Sequence, residues 1–361
     1  MKLSIISFTE NGKRLSEHIQ KVLDKDMSVC LYTKCNACQN QESSSVSFVT
    51  VPVGNWARKQ MEEKNALLFV GACGIAVRAI APSLTDKLHD SPVLVMDEKG
   101  TYVIPILSGH VGGANELAHR IGEKTGAEPV ITTATDINQA FAVDVFAKRN
   151  GLSIENKDGI VKVSSKILAG ASVTMSIETG HTTTKKDCAT RNHLPDAIQL
   201  IPYPPTEAVD IVITSEEGTF DTTILLKPKE YIIGLGCKKG KSLEEIQNFI
   251  QKKTEELGIK NQEIFALASI SQKSKEPGIL TWCQKERIPF FTYTAEELQK
   301  VEGSFQSSAF VKEQVGVDNV CERAALKACQ EGGYLISSKH AEHGMTIAVA
   351  KRKWRIYFYD K

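Results

Sequence analysis

A chain of 361 residues is too long for one small domain, and at about 150 residues per compact unit it holds two or three. With 42% hydrophobic and 24% charged residues its composition is globular, which excludes disorder and collagen-like architecture. Lys and Arg number 44 against 43 Asp and Glu, a formal charge of +1, so the chain is not a polyanion-coating nucleic-acid binder.

The N-terminal stretch turns polar after residues 2–8, so it predicts a strand and not a secretory leader. Leu15, Ile19, Val22 and Leu23 follow at helical spacing. Residues 46–53 and 67–70 read as strands, and 74–81 as a short helix stopped by Pro82. The most apolar run, 66–77, holds two glycines and is short of the roughly 20 residues of a membrane-spanning helix. Residues 93–96 and 102–107 pair as a hairpin across 98–100. A helix at 114–124, a strand at 130–133 and a helix at 137–149 complete this half, whose alternation indicates a largely parallel sheet.

The rhythm breaks between 150 and 227, where polar residues 181–187 and Pro202, Pro204 and Pro205 interrupt strand-like pieces such as 209–214. It returns with a strand at 231–235, a helix face marked by Leu243, Ile246, Ile250 and Leu257, and strands at 264–270 and 290–293. A helix at 320–330 and a strand at 346–350 follow. The expected fold class is α/β: two parallel-sheet-containing α/β domains, 1–149 and 230–361, joined by a smaller irregular β-rich module at 150–229. Nine scattered cysteines, an odd number, indicate reduced thiols and a cytoplasmic protein. Cys35 and Cys38 lack a second pair at zinc spacing, and no metal site is expected.

In open parallel sheets ligands bind beyond the carboxyl ends of the strands. Three turns there are rich in Gly and hydroxyl residues: 71–74, 108–115 and 132–136. Glycines let the backbone approach a guest, and helix N-termini favour anions by about 0.3–1 kcal/mol each. Gly71, Gly74, Ser108, Gly109, Gly112, Gly113, Asn115, Thr132, Thr133 and Thr135 are therefore candidate binding residues, with Arg78 beside them. His110, which titrates near neutrality, is the first candidate for a catalytic base, with Lys87 and Asp86 second. Asp136, followed by Gln139, reads as a helix cap. In the second half the 234–242 turn ends in Gly-Lys-Ser but has the wrong spacing for a nucleotide loop. It is read as a generic anion cradle with Lys238, Lys239 and Lys241 beside Gly234, Gly236 and Gly240. His340 and His343 read as surface loop.

At these motifs the chain resembles the cobalamin biosynthesis protein CbiG family. The resemblance rests on GACGIAVR at 71–78 with Ala81 and Pro82, SGHVGGANELA at 108–118, and TTATD at 132–136. It continues in GLGCKKG at 234–240, ASI at 268–270 with Lys273 and Glu276, Glu322 before AAL at 324–326, and TIAV at 346–349. Arg323 stands where a small residue or proline is expected.

The resemblance implies a cobalt-precorrin-5A hydrolase of anaerobic cobalamin synthesis. Such an enzyme opens the δ-lactone of a ring-contracted cobalt corrinoid and expels acetaldehyde to give cobalt-precorrin-5B. It adds Ser269, Lys273 and Glu322 to the binding candidates, and it implies no cofactor beyond the cobalt carried by the substrate. The partners implied are the cobalt-corrinoid intermediate and neighbouring enzymes of the pathway, with no nucleic acid and no membrane. A non-catalytic corrinoid carrier is the alternative, and His110 or His340 could instead ligate the cobalt.

Overall fold

The computed structural model describes residues 2–23, 27–38, 45–86, 90–110, 112–138, 140–181, 194–306, 313, 315–330 and 332–358. Contacts divide the chain into two compact units, Met1–Ala140 and Phe141–Lys361. Both are built from mixed sheets with helices packed on them, as the α/β class requires.

The first unit runs β1 (Lys2–Ser7), α1 (Glu10–Leu23), β2 (Ser28–Thr33), β3 (Val46–Phe48), α2 (Val53–Glu62), β4 (Ala66–Val70), α3 (Cys73–Ile80), β5 (Val93–Met96), β6 (Tyr102–Leu107), α4 (Ala114–Thr125), β7 (Glu128–Pro129) and α5 (Ala134–Ile137). Its strands lie in the order β3-β2-β1-β4-β5-β6-β7. The continuous apolar run of β4 follows from burial on both faces, and β1 beside it is buried along nearly its whole length, Ser4 and Ser7 included. On one face Ile19 and Leu23 of α1 and Leu117 and Ile121 of α4 close the core. On the other, Trp56 and Met61 of α2 and Ala76 and Ile80 of α3 close it.

The strand expected at 46–53 ends at Phe48, and Val53 already opens α2. Two further boundaries differ from the sequence expectation for local reasons. The strand expected at 130–133 is only the two-residue β7, an edge strand whose Pro129 has no N–H for the ladder. The helix expected at 137–149 is split. Asn138 ends α5 by donating its side-chain amide to the Ala134 carbonyl at 2.8 Å, and α6 (Val143–Asn150) begins afresh in the second unit.

After α6 the second unit continues through β8 (Leu152–Ile154), α7 (Asp158–Leu168), β9 (Val173–Ile177), β10 (Ile198–Ile201), β11 (Val209–Ile213) and β12 (Thr222–Pro228). These strands form a sheet in the order β10-β9-β11-β12-β8, parallel except where β8 joins β12. The middle region is thus β-rich as expected, with an ordered, mostly parallel sheet of its own. A third sheet, β15-β14-β13-β17-β16, comes from β13 (Tyr231–Cys237), β14 (Ile264–Ile270), β15 (Phe290–Tyr293), β16 (Tyr334–Glu342) and β17 (Met345–Lys351). The helices α8 (Leu243–Glu256) and α9 (Pro277–Glu286) cover one face. On the other lie α10 (Ala295–Gln299) and α11 (Cys321–Cys329).

The chain beyond β17 returns to the middle region. Trp354 is buried and stacks on His181 with ring centroids 3.7 Å apart, and Ile356 N–H donates to the His181 carbonyl at 2.8 Å. Asn150 exchanges two hydrogen bonds with the Tyr357 backbone, at 2.7 and 3.0 Å. The Arg352 guanidinium lies 3.7 Å over the Phe265 ring and donates to the Lys229 carbonyl at 2.8 Å.

Candidate active site

The direction of the strands decides which turns can share a site. β4 and β5 run parallel, with Val70 opposite Met96, but β5 and β6 run antiparallel, with Val93 opposite Leu107. β7 is parallel to β6. The 108–115 and 132–136 turns therefore emerge together at one sheet edge, beside the loop that enters β5. The 71–74 turn emerges at the opposite edge. The expectation that all three turns line one row of strand tips is corrected here, because the hairpin reverses the chain between the first turn and the other two.

At the shared edge the glycines serve close packing. Ser108 adopts a left-handed φ of +55° and its hydroxyl donates to the Asp90 carbonyl at 3.0 Å. A Cβ on Gly112 would lie 2.4 Å from the Ser108 Cβ, and one on Gly109 would lie 2.7 Å from Asn115 Oδ1. Gly113 is left-handed at +87° where it caps α4. The turn folds back on itself, with Ala114 and Asn115 N–H donating to the Ser108 and Gly109 carbonyls, both at 3.1 Å. This places His110 and Asn115 side by side facing α5.

Five polar side chains meet there. His110 Nε2 stands 2.9 Å from Asp136 Oδ1 and 3.1 Å from Thr135 Oγ1. Asn115 donates its amide to Asp136 Oδ2 and, at 3.2 Å, to Thr133 Oγ1. His110, Thr135 and Asn115 are buried, their environment set by the turn and α5. The Asp136 side chain is 38% exposed against 7% for His110. Asp136 sits inside α5, whose N-cap is Thr133 with no side-chain bond, so the capping role read from the sequence is corrected. Its carboxylate faces the imidazole. Gln139, the other half of the expected box, lies outside the described residues.

Of the remaining candidates, Thr132 is exposed on the approach to this cluster. Asp86 lies in the neighbouring loop, where its carbonyl accepts from Asp90 N–H at 3.0 Å. Asp90 is buried and takes two donors from Thr85, at 2.8 and 2.9 Å. Lys87 lies outside the described residues.

The opposite edge carries Gly71, Gly74 and Arg78. Gly71 N–H donates to the Met96 carbonyl at 2.9 Å. The Arg78 guanidinium folds back to within about van der Waals reach of a Gly74 Cβ, at 3.4 Å. It borders a cavity with Val53, Gly54, Ile75 and Ala79 between α2 and α3. A cation beside apolar surface is chemistry suited to a carboxylate on a hydrophobic ring.

In the second unit several candidates are interior groups. A Cβ on Gly234 would lie 1.8 Å from the Cys321 carbonyl oxygen, and one on Gly236 would lie 2.5 Å from Thr346 Oγ1. These glycines admit α11 and β17 against β13. Ser269 is fully buried and donates to the Leu235 carbonyl at 2.6 Å. Glu322 is buried, and its carboxylate receives Gln306 N–H at 3.0 Å, Lys339 N–H at 2.7 Å and the Asn319 amide. These donors come from the protein, and through them Glu322 ties α11 to β16.

The 234–242 turn is likewise answered from within. Gly240 N–H donates to Glu276 Oε1 at 2.7 Å, and Lys273 Nζ pairs with Glu276 Oε2 at 3.0 Å. Burial raises the Glu276 carboxyl, but Lys273, the Gly240 N–H and Lys239 outweigh it and hold it below the usual carboxylate range. Lys241 pairs with Glu245 at 2.6 Å. Ser242 forms a capping box with Glu245 at the start of α8. Lys238 lies along Gly344 of the β16–β17 turn and donates its N–H there at 2.9 Å. His340 lies in β16 and His343 in the following turn, not in one loop, and both approach Glu342, at 3.4 and 3.3 Å. Among the described residues no group of three or more His, Cys, Asp or Glu is placed to hold a metal ion. No described helix is long and apolar enough to cross a membrane.

Comparison with known proteins finds relatives over most of the chain. Residues 55–136 match the family model described as cobalamin synthesis G N-terminal, 141–225 the cobalamin biosynthesis central region, and 231–350 the cobalamin synthesis G C-terminus. The chain is similar to the cobalt-precorrin-5A hydrolase of Salmonella typhimurium, 33% identical over 82% of this chain and 84% of that one. The enzyme of the same name from Priestia megaterium is 29% identical over 90% of this chain and 88% of that one. A crystal structure described as a cobalamin biosynthesis protein G homolog from Sulfolobus solfataricus is 24% identical, with a TM-score of 0.40 and 97% of each chain covered.

Proposed function

Since the chain belongs to the cobalamin synthesis G family, we propose that it is a cobalt-precorrin-5A hydrolase. In this reading it opens the δ-lactone of a cobalt corrinoid and releases acetaldehyde, giving cobalt-precorrin-5B. The observation that carries the chemistry is the His110–Asp136 pair, 2.9 Å apart at the mouth of a glycine-rich turn. A carboxylate paired with an imidazole is a device for taking and returning protons.

Water adds to the lactone carbonyl, the ring C–O bond breaks, and a carboxylate and a free alcohol result. Removal of the alcohol proton then forms the aldehyde C=O while the adjoining C–C bond breaks. The electron pair passes into the conjugated macrocycle, which takes up a proton. The net change is addition of one water and loss of one acetaldehyde. The cobalt arrives with the substrate. Arg78, at the other edge of the same sheet, is a candidate for a peripheral carboxylate.

The test is incubation of the purified chain with cobalt-precorrin-5A, following acetaldehyde and the mass of the corrinoid. Acetaldehyde with a matching mass loss is expected. A corrinoid that binds and is recovered unchanged would identify a carrier instead.

A further inference from the structure

We propose that Asp136, and not His110, is the member of the pair that meets the substrate, with His110 as its positioning residue. The inference deepens the hydrolase reading and rests on it. Exposure separates the two: the Asp136 side chain is 38% open to solvent and that of His110 only 7%. An imidazole set behind a carboxylate cannot reach a bulky macrocycle without displacing it.

The surrounding bonds fit a carboxylate fixed from behind. His110 Nε2–H donates to Oδ1 at 2.9 Å, and the Asn115 amide donates to Oδ2. Both oxygens are thus held, and each keeps a second lone pair for a substrate hydroxyl or water. Thr135 Oγ1, 3.1 Å from the same imidazole nitrogen, steadies the ring. Gly109 is required because any Cβ there would strike Asn115 Oδ1 at 2.7 Å, which explains a glycine beside the histidine without invoking an amide cradle. Asp136 would take the proton of the attacking water or of the freed alcohol and give it up to the macrocycle carbon left by the broken C–C bond, while the His110 Nε2–H bond to Oδ1 keeps the carboxyl in place.

Isosteric replacements distinguish the two orders of the pair. Glutamine at 110 places an N–H near the position of Nε2 but cannot act as a base, whereas alanine does neither. We expect Asp136→Asn to lower kcat for acetaldehyde release by about 10²–10⁴-fold, with KM little changed. His110→Gln should stay within roughly tenfold of the unsubstituted kcat, and His110→Ala should fall well below His110→Gln. Thermal unfolding of each variant shows that the fold is retained. Asp136→Asn retaining a tenth or more of kcat would overturn the assignment. So would His110→Gln falling as far as His110→Ala, which would return the base to the imidazole. Absence of acetaldehyde from the unsubstituted chain would overturn the hydrolase reading and this one together.

Discussion

The 108–115 turn of the first unit and the 234–242 turn of the third sheet share one plan, a strand, a glycine-rich turn and a helix, but they end in different chemistry. In the third sheet the charges answer each other: Lys241 with Glu245, and Lys273 and the Gly240 N–H with Glu276. In the first unit the glycines bring His110 and Asn115 onto one carboxylate and leave that carboxylate accessible. Glycine in a strand-to-helix turn therefore reports how closely chain segments approach. Whether a ligand is served depends on which polar groups remain open once the segments have met.

The contrast can be broken most forcefully at Gly234. Gly234→Ala puts a Cβ 1.8 Å from a backbone oxygen of α11, where neither partner can yield. The second unit should lose about 3 kcal/mol or more, or fail to fold, as read by denaturant unfolding. A midpoint close to that of the unsubstituted chain would show that this turn has room for a guest after all.

Glu322→Ala comes next. It strips a buried acceptor from Gln306 N–H, Lys339 N–H and the Asn319 amide. Since a buried donor left unsatisfied costs about 1–3 kcal/mol, a loss of that order or more is expected in the same measurement. Lost turnover with unchanged stability would instead return Glu322 to a ligand cleft.

Acid titration sharpens the comparison more gently. Because the folded Glu276 carboxyl lies below its ordinary value, the unfolded chain binds its proton first as pH falls. The resulting stabilisation is complete above the unfolded carboxylate range, near pH 4.3, and disappears as pH drops through the folded value. Glu276→Gln should therefore make the second unit less sensitive to acid as pH falls below the ordinary carboxylate range. Equal sensitivity with and without the substitution would contradict the pairing. The smallest effect is expected for Lys241→Ala, whose exposed partner Glu245 is readily solvated. The unfolding midpoint should hardly move, and so should corrinoid turnover. Loss of ATP or GTP binding on this substitution would revive the nucleotide reading.

Much of the fold was readable from the pattern of apolar runs. β14 and β15 fall on the residues their runs mark, and the 93–107 hairpin forms as expected. That hairpin also contained the fact that separates the 71–74 turn from the others, since antiparallel strands expose opposite ends. The consequence follows only from tracing direction through three paired strands. β16 was less visible because its residues are largely exposed or half-buried and do not alternate cleanly.

The site was legible in part. His110 and Asn115 were marked by the improbable density of glycines around them. Asp136 was hidden because an aspartate near a helix start ordinarily caps it, and only the fold shows its carboxylate turned to an imidazole 26 residues earlier in the chain. Ser269 and Glu322 could not be placed from residue type, since a polar group facing a ligand and one tying two elements together have the same letter.

The segment that carries Trp354 and Tyr357 back to His181 and Asn150 has a consequence for synthesis. A ribosome makes the middle region long before these residues emerge, so the nascent chain must wait with that seam unsealed. Emergence of the stretch beyond β17 is then the event that completes it, and truncation just past β17 would hand quality control a protein with an open flank.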